Sequence, residues 1–185
     1  MNLLRHPLAA SVAAMAIIVA ASNFAVQYPF TYFGLGNYLT WGAFTYPFAF
    51  LVNDLTNRRF GSAAARRVVY VGFIAAVVLS LLVATPRIAA ASGSAFLLAQ
   101  VLDVFVFDRL RRAAWWQAPF ISSVIGSAVD TAIFFTLAFA GTPLPWTSWA
   151  VVDFFVKIVF AAVLVAPYWY ARRLVPAYED VAGRV

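Results

Sequence analysis

The sequence predicts an all-α membrane protein in which a single domain, residues 1–185, crosses the bilayer with six transmembrane helices. Of the 185 residues, 64% are apolar and only 11% are charged, whereas soluble domains carry roughly 25% charged residues. One crossing takes about 20 helical residues, so six crossings leave no room for a soluble domain. The apolar runs lack the two-residue alternation of barrel strands and are about twice as long. Helices are therefore the predicted spanning structure.

The first span is predicted over residues 7–28. Arg5 and His6, followed by an alanine-rich stretch that ends in Val19-Ala20-Ala21, also resemble a cleavable signal peptide. We favour a retained helix, because the apolar run continues to Phe33 and because cleavage would leave five spans.

The second span, residues 38–56, contains Pro47, which has no backbone N–H to bond to the carbonyl of Ala43. Aromatic residues surround this position, and a broken span can line a cavity. Polar side chains follow at Asn53, Asp54, Thr56 and Asn57.

Glycine and proline separate the later apolar runs, at Gly61, at Pro86 and in the segment 141–145. The remaining spans are predicted over residues 67–84, 88–107, 119–140 and 148–170.

The basic residues predict that both termini are cytoplasmic, since short cytoplasmic loops retain Lys and Arg. With the N-terminus inside, Arg87 alone among the arginines falls outside, and the cytoplasmic side holds Arg5, Arg58, Arg59, Arg66, Arg67, Arg109, Arg111, Arg112, Arg172, Arg173 and Arg184. The net charge of +6 is then explained by topology and attraction to anionic lipid. We expect no nucleic-acid partner.

Composition also excludes several kinds of chemistry. A nucleotide-binding P-loop needs a lysine after its glycines, but the only lysine, Lys157, lies in an apolar run. The chain has no cysteine and one histidine, which leaves no thiolate and no histidine cluster for a metal. We expect no cofactor and no metal.

Ionisable groups inside a span are costly and are candidates for function. Asp130 lies near the middle of the fifth span, and Ser123 and Ser127 share its face while Gly126 permits close approach. The alternative is a Ser/Gly packing seam with a hydrogen-bonded Asp. Asp153 and Lys157 are spaced i, i+4 on the sixth span, which favours an ion pair that is either structural or functional.

Three further spans carry candidate polar residues. Gln100 and Asp103 share a face of the fourth span, and Asn23 and Gln27 share a face of the first. Asp54 ends the second span, where it either contacts ligand or neutralises the arginines that follow it.

Four segments carry a resemblance to a known family: TWGAFTYPFAFLVNDLTNRRFGSAAARR, LLAQVLDVFVFDRLRR, GSAVDTAIFFTLAFAG and VVDFFVKIVFA. They resemble the queuosine precursor transporter family, also called the vitamin uptake transporter family, of bacterial inner membranes. The resemblance covers residues 22–173, and the segment D-L-T-N-R-R-F-G is its most specific part. The chain departs from the family at Phe105 and Asp108, where His and Asn are expected.

The resemblance implies a multi-pass inner-membrane importer, not an enzyme, for a 7-deazaguanine precursor of tRNA queuosine, most often 7-cyano-7-deazaguanine. A carboxylate can accept both N–H donors on the pairing edge of such a base, amides can supply the other partners, and aromatic rings can stack on its faces. The predicted substrate-binding residues are Asn23, Gln27, Asp54, Asn57, Gln100, Asp103, Ser127, Asp130, Asp153 and Lys157.

Two other functions stay open at this stage. One is a substrate-capture subunit of an energy-coupling-factor-type importer, which would need a separate ATPase to move ligand. The other is an intramembrane enzyme that uses paired Asp residues as acid and base, although no nucleophile motif or metal set accompanies them. The driving force and the choice between monomer and homodimer also stay open.

Overall fold

The computed structural model describes residues 7–83 and 85–178, and the regular elements within these ranges are helices. They are α1 (Pro7–Ala25), a 3-10 helix (Tyr32–Asn37), α2 (Gly42–Thr45), α3 (Pro47–Val83), α4 (Pro86–Leu110), α5 (Gln117–Phe139) and α6 (Trp146–Leu174). An isolated antiparallel bridge joins Pro29 to Thr40 in the connection between α1 and α2. The prediction of an all-helical chain is confirmed for the described residues.

Five helical stretches in the described residues are long and apolar enough to cross a membrane. One of them combines α2 and α3 and runs for 41 residues from Gly42 to Leu82. At about 1.5 Å per residue this stretch is about twice the length that one crossing needs. The chain is therefore a multi-pass membrane protein in which the longest stretch must bend.

The chain reverses direction within α3 at Gly61. The φ of +79° and ψ of 171° at this residue are accessible to glycine and strained for other residues. We call residues 47–60 the first limb of α3 and residues 62–83 its second limb. Four contacts with α4 establish the reversal: Asn57 with Val104, Asn53 with Gln100, Gly72 with Phe96, and Val77 with Gly93. From the end of α4 toward its start, the contacting residues of the first limb have falling numbers and those of the second limb have rising numbers. The two limbs therefore run in opposite directions.

Pairs of contacts of the same kind give the relative directions of the other helices. Met15 and Asn23 of α1 contact Gly72 and Ser80, so α1 runs parallel to the second limb. Helix α5 runs antiparallel to the first limb, since Asp130 meets Tyr46 while Ser122 meets Asp54. Helix α6 returns beside α5 and ends where the Arg58 side chain donates to the carbonyl of Val175. Segments that are consecutive in the sequence thus alternate in direction, when the two limbs of α3 are counted separately.

This alternation gathers the described arginines, apart from Arg87, at one end of the bundle, which we call the arginine end: Arg58, Arg59, Arg66, Arg67, Arg109, Arg111, Arg112, Arg172 and Arg173. Arg87 lies at the opposite end, where its guanidinium donates to the carbonyls of Leu137 at 2.9 Å and Ala140 at 2.6 Å and so caps α5. Arg5 and Arg184, on which part of the orientation prediction rests, lie outside the described residues, as does His6 of the signal-peptide alternative.

The predicted span limits differ from the helices by a few residues. The first helix ends at Ala25 rather than at 28, and the second membrane stretch begins at Gly42 rather than at 38, because the 3-10 helix and an irregular segment occupy the connection. The second limb follows Gly61 directly, whereas the third span was predicted from residue 67; its predicted end at 84 lies outside the described residues. Helices α4, α5 and α6 begin two residues earlier than predicted, and α4 and α6 also end later.

The local structure at the start of α4 explains why this helix begins earlier than predicted. Thr85 is extended, and its hydroxyl accepts a hydrogen bond from the backbone of Ile88 at 3.4 Å, while Pro86 takes the first helical position. A threonine cap followed by proline is a favourable helix start. Pro86 therefore begins the helix, although the sequence reading used it to separate two spans.

Small residues let the helices approach closely. A β-carbon added at Gly126 would lie 2.7 Å from Cε1 of the buried Phe50 and 3.3 Å from the carbonyl oxygen of Ala99. The prediction that Gly126 permits close approach is confirmed. Met15 of α1 is fully buried, so α1 is packed into the bundle core.

Candidate functional site

A cavity of about 580 Å³ lies at the end of the bundle opposite the arginines. Its walls come from α1, the connection at residues 36–40, α2, both limbs of α3, the first half of α4, the second half of α5 and the start of α6. This volume falls within the range of small-molecule sites, which are mostly apolar with a few placed polar groups. The cavity is large enough for a nucleobase-sized ligand.

A charged network lies at the inner end of this cavity. The Lys157 Nζ is 2.8 Å from Oδ2 of Asp130 and 2.6 Å from Oδ2 of Asp153. Thr131 joins them, because its hydroxyl accepts from Lys157 at 3.1 Å and donates to Asp153 at 2.9 Å. Two carboxylates and one ammonium leave a formal charge of −1. Removing such charges from water is costly unless they are paired and hydrogen-bonded, and this network meets both conditions.

Tyr46 connects this network to the broken second span. Its hydroxyl donates to Oδ1 of Asp130 at 2.8 Å, and the Lys157 ammonium lies 5.4 Å from the centre of its ring. Helix α2 ends at Thr45 and α3 begins at Pro47, so Tyr46 occupies the junction. The predicted interruption at Pro47 is confirmed in the hydrogen bonding, although the backbone of Tyr46 keeps helical angles of φ −59° and ψ −39°.

Aromatic side chains form much of the cavity wall. Phe139 and Trp149 meet edge to face with ring centres 5.6 Å apart, and Phe134 and Phe135 lie beside them. Phe96 of α4 also lines the cavity. Rings in these positions offer flat apolar surfaces to a planar ligand.

A second group of polar residues, which we call the buried polar cluster, lies deeper in the bundle and does not line the cavity: Asn53, Asp54, Gln100, Asp103 and Ser122. The Asn53 amide donates to Oδ2 of Asp103 at 2.9 Å and to the carbonyl of Gln100 at 3.1 Å. The Ser122 hydroxyl donates to Oδ1 of Asp54 at 3.3 Å.

Several atoms of the buried polar cluster have no hydrogen-bond partner. They are Oδ1 of Asn53, Oδ1 of Asp103 and both polar atoms of the Gln100 side chain. An unsatisfied buried polar group costs about 1–3 kcal/mol, and most buried polar groups in proteins are satisfied. The cluster is therefore costly as a purely structural feature.

Seven of the ten predicted substrate-binding residues belong to one of these two regions. Asn23, Asp130, Asp153 and Lys157 line the cavity. Asp54, Gln100 and Asp103 belong to the buried polar cluster. Three others fall elsewhere: Ser127 is buried on α5, Gln27 is exposed, and Asn57 is held between the Val104 carbonyl and the Arg111 guanidinium at 3.1 and 2.6 Å.

The predicted pairing of Asp153 with Lys157 is confirmed, and the structure adds Asp130 to it. Sequence reasoning missed Thr131 as a member of the network and Tyr46 as the partner of Asp130. The aromatic string around Pro47 was the available signal for Tyr46. Trp149, near the start of α6, also lines the cavity and was not among the predicted residues.

Within the described ranges, no group of three or more His, Cys, Asp or Glu side chains is arranged to hold a metal ion. The described polar groups can instead donate and accept hydrogen bonds and present charge to a small organic ligand.

Comparison with known proteins identifies relatives of the whole bundle. The family model described as "Putative vitamin uptake transporter" matches residues 40–85 and 80–171. The "Queuosine precursor transporter" of Escherichia coli (strain K12) is 36% identical, with 83% of this chain and 80% of the relative aligned. The "Probable queuosine precursor transporter" of Haemophilus influenzae is also 36% identical, with 81% and 79% aligned. A protein of the same name from Bacillus subtilis (strain 168) is 28% identical, with 76% and 74% aligned.

No solved structure matches this chain. The family match covers most of α2 to α6, including every described residue of the charged network and of the buried polar cluster. The chain therefore belongs to the vitamin uptake transporter family, also called the queuosine precursor transporter family.

Proposed function

We propose that this protein imports a queuosine precursor, specifically 7-cyano-7-deazaguanine, across the bacterial inner membrane for incorporation into tRNA. The names of its relatives in Escherichia coli and Haemophilus influenzae support the substrate class. The chain acts as a carrier and performs no chemical conversion of its ligand. It crosses the membrane six times, with the two limbs of α3 as separate crossings and both termini in the cytoplasm.

The observation that carries this proposal is the cavity with a carboxylate network at its inner end and aromatic rings in its walls. A 7-deazaguanine is flat and uncharged on its ring, so Phe96 and the Phe139–Trp149 pair can cover its faces. Its adjacent N–H donors suit a carboxylate such as Asp130 or Asp153. Few polar groups are then needed to orient the base in an otherwise apolar site.

The position of the cavity supports the direction of transport. Arginines mark the cytoplasmic side of a membrane protein, and the cavity lies at the end opposite the arginine end. The cavity therefore faces the periplasm, from which an importer must collect its ligand. The buried polar cluster lies between the cavity and the arginine end, on the path that the ligand takes to the cytoplasm.

The decisive experiment is uptake in a strain that lacks precursor synthesis and its own precursor transporter. Cells that carry this chain and receive 7-cyano-7-deazaguanine should accumulate queuosine in tRNA, whereas cells with an empty vector should not. Asp130→Ala should abolish the signal at normal membrane levels, because Asp130 contacts both Tyr46 and Lys157. As a control, Tyr70→Phe changes an exposed side chain outside the cavity and should behave as wild type. Absence of queuosine with the wild-type chain at normal membrane levels would refute the proposal.

Purified chain in liposomes separates unaided transport from ligand capture for a partner ATPase. Accumulation of labelled 7-cyano-7-deazaguanine inside liposomes that contain this chain alone is the expected result. Tight binding without accumulation would favour the substrate-capture subunit.

A further inference from the structure

The buried polar cluster lies about one helical turn below the inner end of the cavity. Ala49 and Phe96 line the cavity, and Asn53 and Gln100 follow them at i+4 on the same helices. One turn corresponds to about 5.4 Å along the axis. The cluster is therefore close to the cavity and aligned with it along the bundle.

Tyr46 lines the cavity just before the first limb of α3, which carries part of the buried polar cluster. Its ring packs edge-on against Phe50 and Phe96, with centres 5.9 and 6.2 Å away, and its hydroxyl is bonded to Asp130. Gln100 follows Phe96 by one helical turn on α4, so the buried polar cluster begins one turn beyond the ring that contacts Tyr46. Movement of the Tyr46 ring would connect the cavity to the buried polar cluster.

The unpartnered atoms of the cluster define a chemical pattern. Three of them are acceptors, Oδ1 of Asn53, Oε1 of Gln100 and Oδ1 of Asp103, and one is a donor, Nε2 of Gln100. All three residues are fully buried. A planar heterocycle with adjacent N–H donors beside a carbonyl acceptor complements this set. A guanine-type pairing edge has that arrangement, whereas an adenine-type edge offers one amino donor beside a ring-nitrogen acceptor.

We propose that the buried polar cluster is an inner ligand position that reads the pairing edge of a guanine-type base after the base has passed Tyr46. This inference rests on the proposed transport function. The Asp103 carboxylate accepts from the ring N–H and the exocyclic amino group, and the Gln100 amide donates to the ring carbonyl. The Asn53 amide, which donates to Asp103 at 2.9 Å, fixes the carboxylate in the accepting orientation.

The experiment measures base discrimination by the purified full chain in detergent. Bound radiolabelled 7-cyano-7-deazaguanine is competed with unlabelled 7-deazaguanine or 7-deazaadenine. The wild type should prefer the guanine-type competitor at least about tenfold, and Gln100→Met and Asp103→Asn should each lower that preference about tenfold, the effect of one lost hydrogen bond to a desolvated partner. Thr56→Val is the control, because Thr56 is buried on the first limb of α3, next to the cluster in sequence, but its hydroxyl already donates to the Val52 carbonyl at 2.6 Å.

Heat stability in detergent shows whether the residues of the buried polar cluster bind the base or only stabilise the fold. Methionine matches glutamine in length and removes its unpartnered atoms, so Gln100→Met should be at least as heat-stable as wild type. Unchanged stability with lost discrimination, or with lost binding, supports the proposal. Wild-type discrimination in Gln100→Met overturns it and leaves the transport function intact. If Asp103→Asn fails to fold, the result for Gln100→Met decides the question alone. If the wild-type chain does not bind the labelled probe, the result counts against the proposed transport function itself.

Discussion

At the scale of single residues, Lys157 shows which contacts a sequence can reveal. Its pairing with Asp153 follows from i, i+4 spacing on one helix, and the structure confirms it at 2.6 Å. Its contact with Asp130 joins two helices, so it depends on how α5 and α6 are rotated about their axes. The same is true of the bond between Tyr46 and Asp130. Spacing along one helix cannot encode either contact.

We expect the double variant Asp153→Asn with Lys157→Met to be more heat-resistant in detergent than Lys157→Met alone. Without its lysine, the network holds the buried carboxylate of Asp130 beside the partly buried one of Asp153, and removing one partner of a buried ion pair costs about 3–5 kcal/mol. The second change removes one of those charges. The stability should recover only in part, because Asp130 loses its bond to Lys157 and keeps the one to Tyr46. Thermal unfolding of both variants gives this comparison.

The same double variant should still fail to import precursor, because Asp153 and Lys157 line the cavity. Uptake is measured as queuosine in tRNA at matched membrane levels. If stability and uptake both recover, the pair serves as scaffolding, and Asp153 and Lys157 should be removed from the proposed site.

Tyr46→Phe isolates the hydroxyl that bonds to Asp130. The ring contacts with Phe50 and Phe96 are retained, so membrane levels should be normal. A hydrogen bond to a charged group contributes about 1.5–3 kcal/mol, so we expect the uptake rate to fall about tenfold or more. Tyr70→Phe, on the exposed face of the second limb, is the matched control. Equal rates for the two variants would show that the Tyr46 hydroxyl has no part in transport.

At the scale of helices, the break at Gly61 was predicted and the details around it were not. Glycine between two apolar runs signals a break, but the signal does not say how many residues the turn takes. The predicted spans stop at residue 56 and resume at residue 67, whereas helix continues on both sides of Gly61. The chain turns here at one glycine, and side-chain contacts such as Arg58 with the Val175 carbonyl hold its surroundings. Those contacts come from the last helix and could not be read locally.

Gly61→Ala should therefore destabilise the protein. Its φ of +79° and ψ of 171° cost a residue with a β-carbon about 1–3 kcal/mol. The space itself is adequate, since the nearest atom to an added β-carbon is Cδ1 of Tyr178 at 3.4 Å. We expect a lower midpoint of thermal unfolding than in Ser62→Ala, which changes the adjacent helical residue. Equal midpoints would mean that the turn can adopt another backbone conformation without cost.

At the scale of the whole molecule, the positions of the arginines predict the direction of every helix but not the shape of the cavity. Alternation follows from span count and loop charge. The cavity depends on how far α1, α4 and α5 separate near one end, which side-chain packing decides.

A C-terminal fusion to a reporter active only in the periplasm should give no signal, whereas the same reporter fused after Pro145 should be active. Strong activity of the C-terminal fusion would reverse the orientation.

The absence of cysteine from the sequence allows a direct test of the cavity's direction. Ser92 lines the cavity, and Ser127 is buried outside it, so Ser92→Cys and Ser127→Cys form a matched pair without background thiols. A membrane-impermeant maleimide added to intact cells should label the first variant and not the second, because only the first faces the periplasm. Added 7-cyano-7-deazaguanine should slow that labelling by occupying the same space. Labelling of Ser92→Cys in inverted membrane vesicles but not in intact cells would place the cavity on the cytoplasmic side, and import would then have to begin from a different conformation.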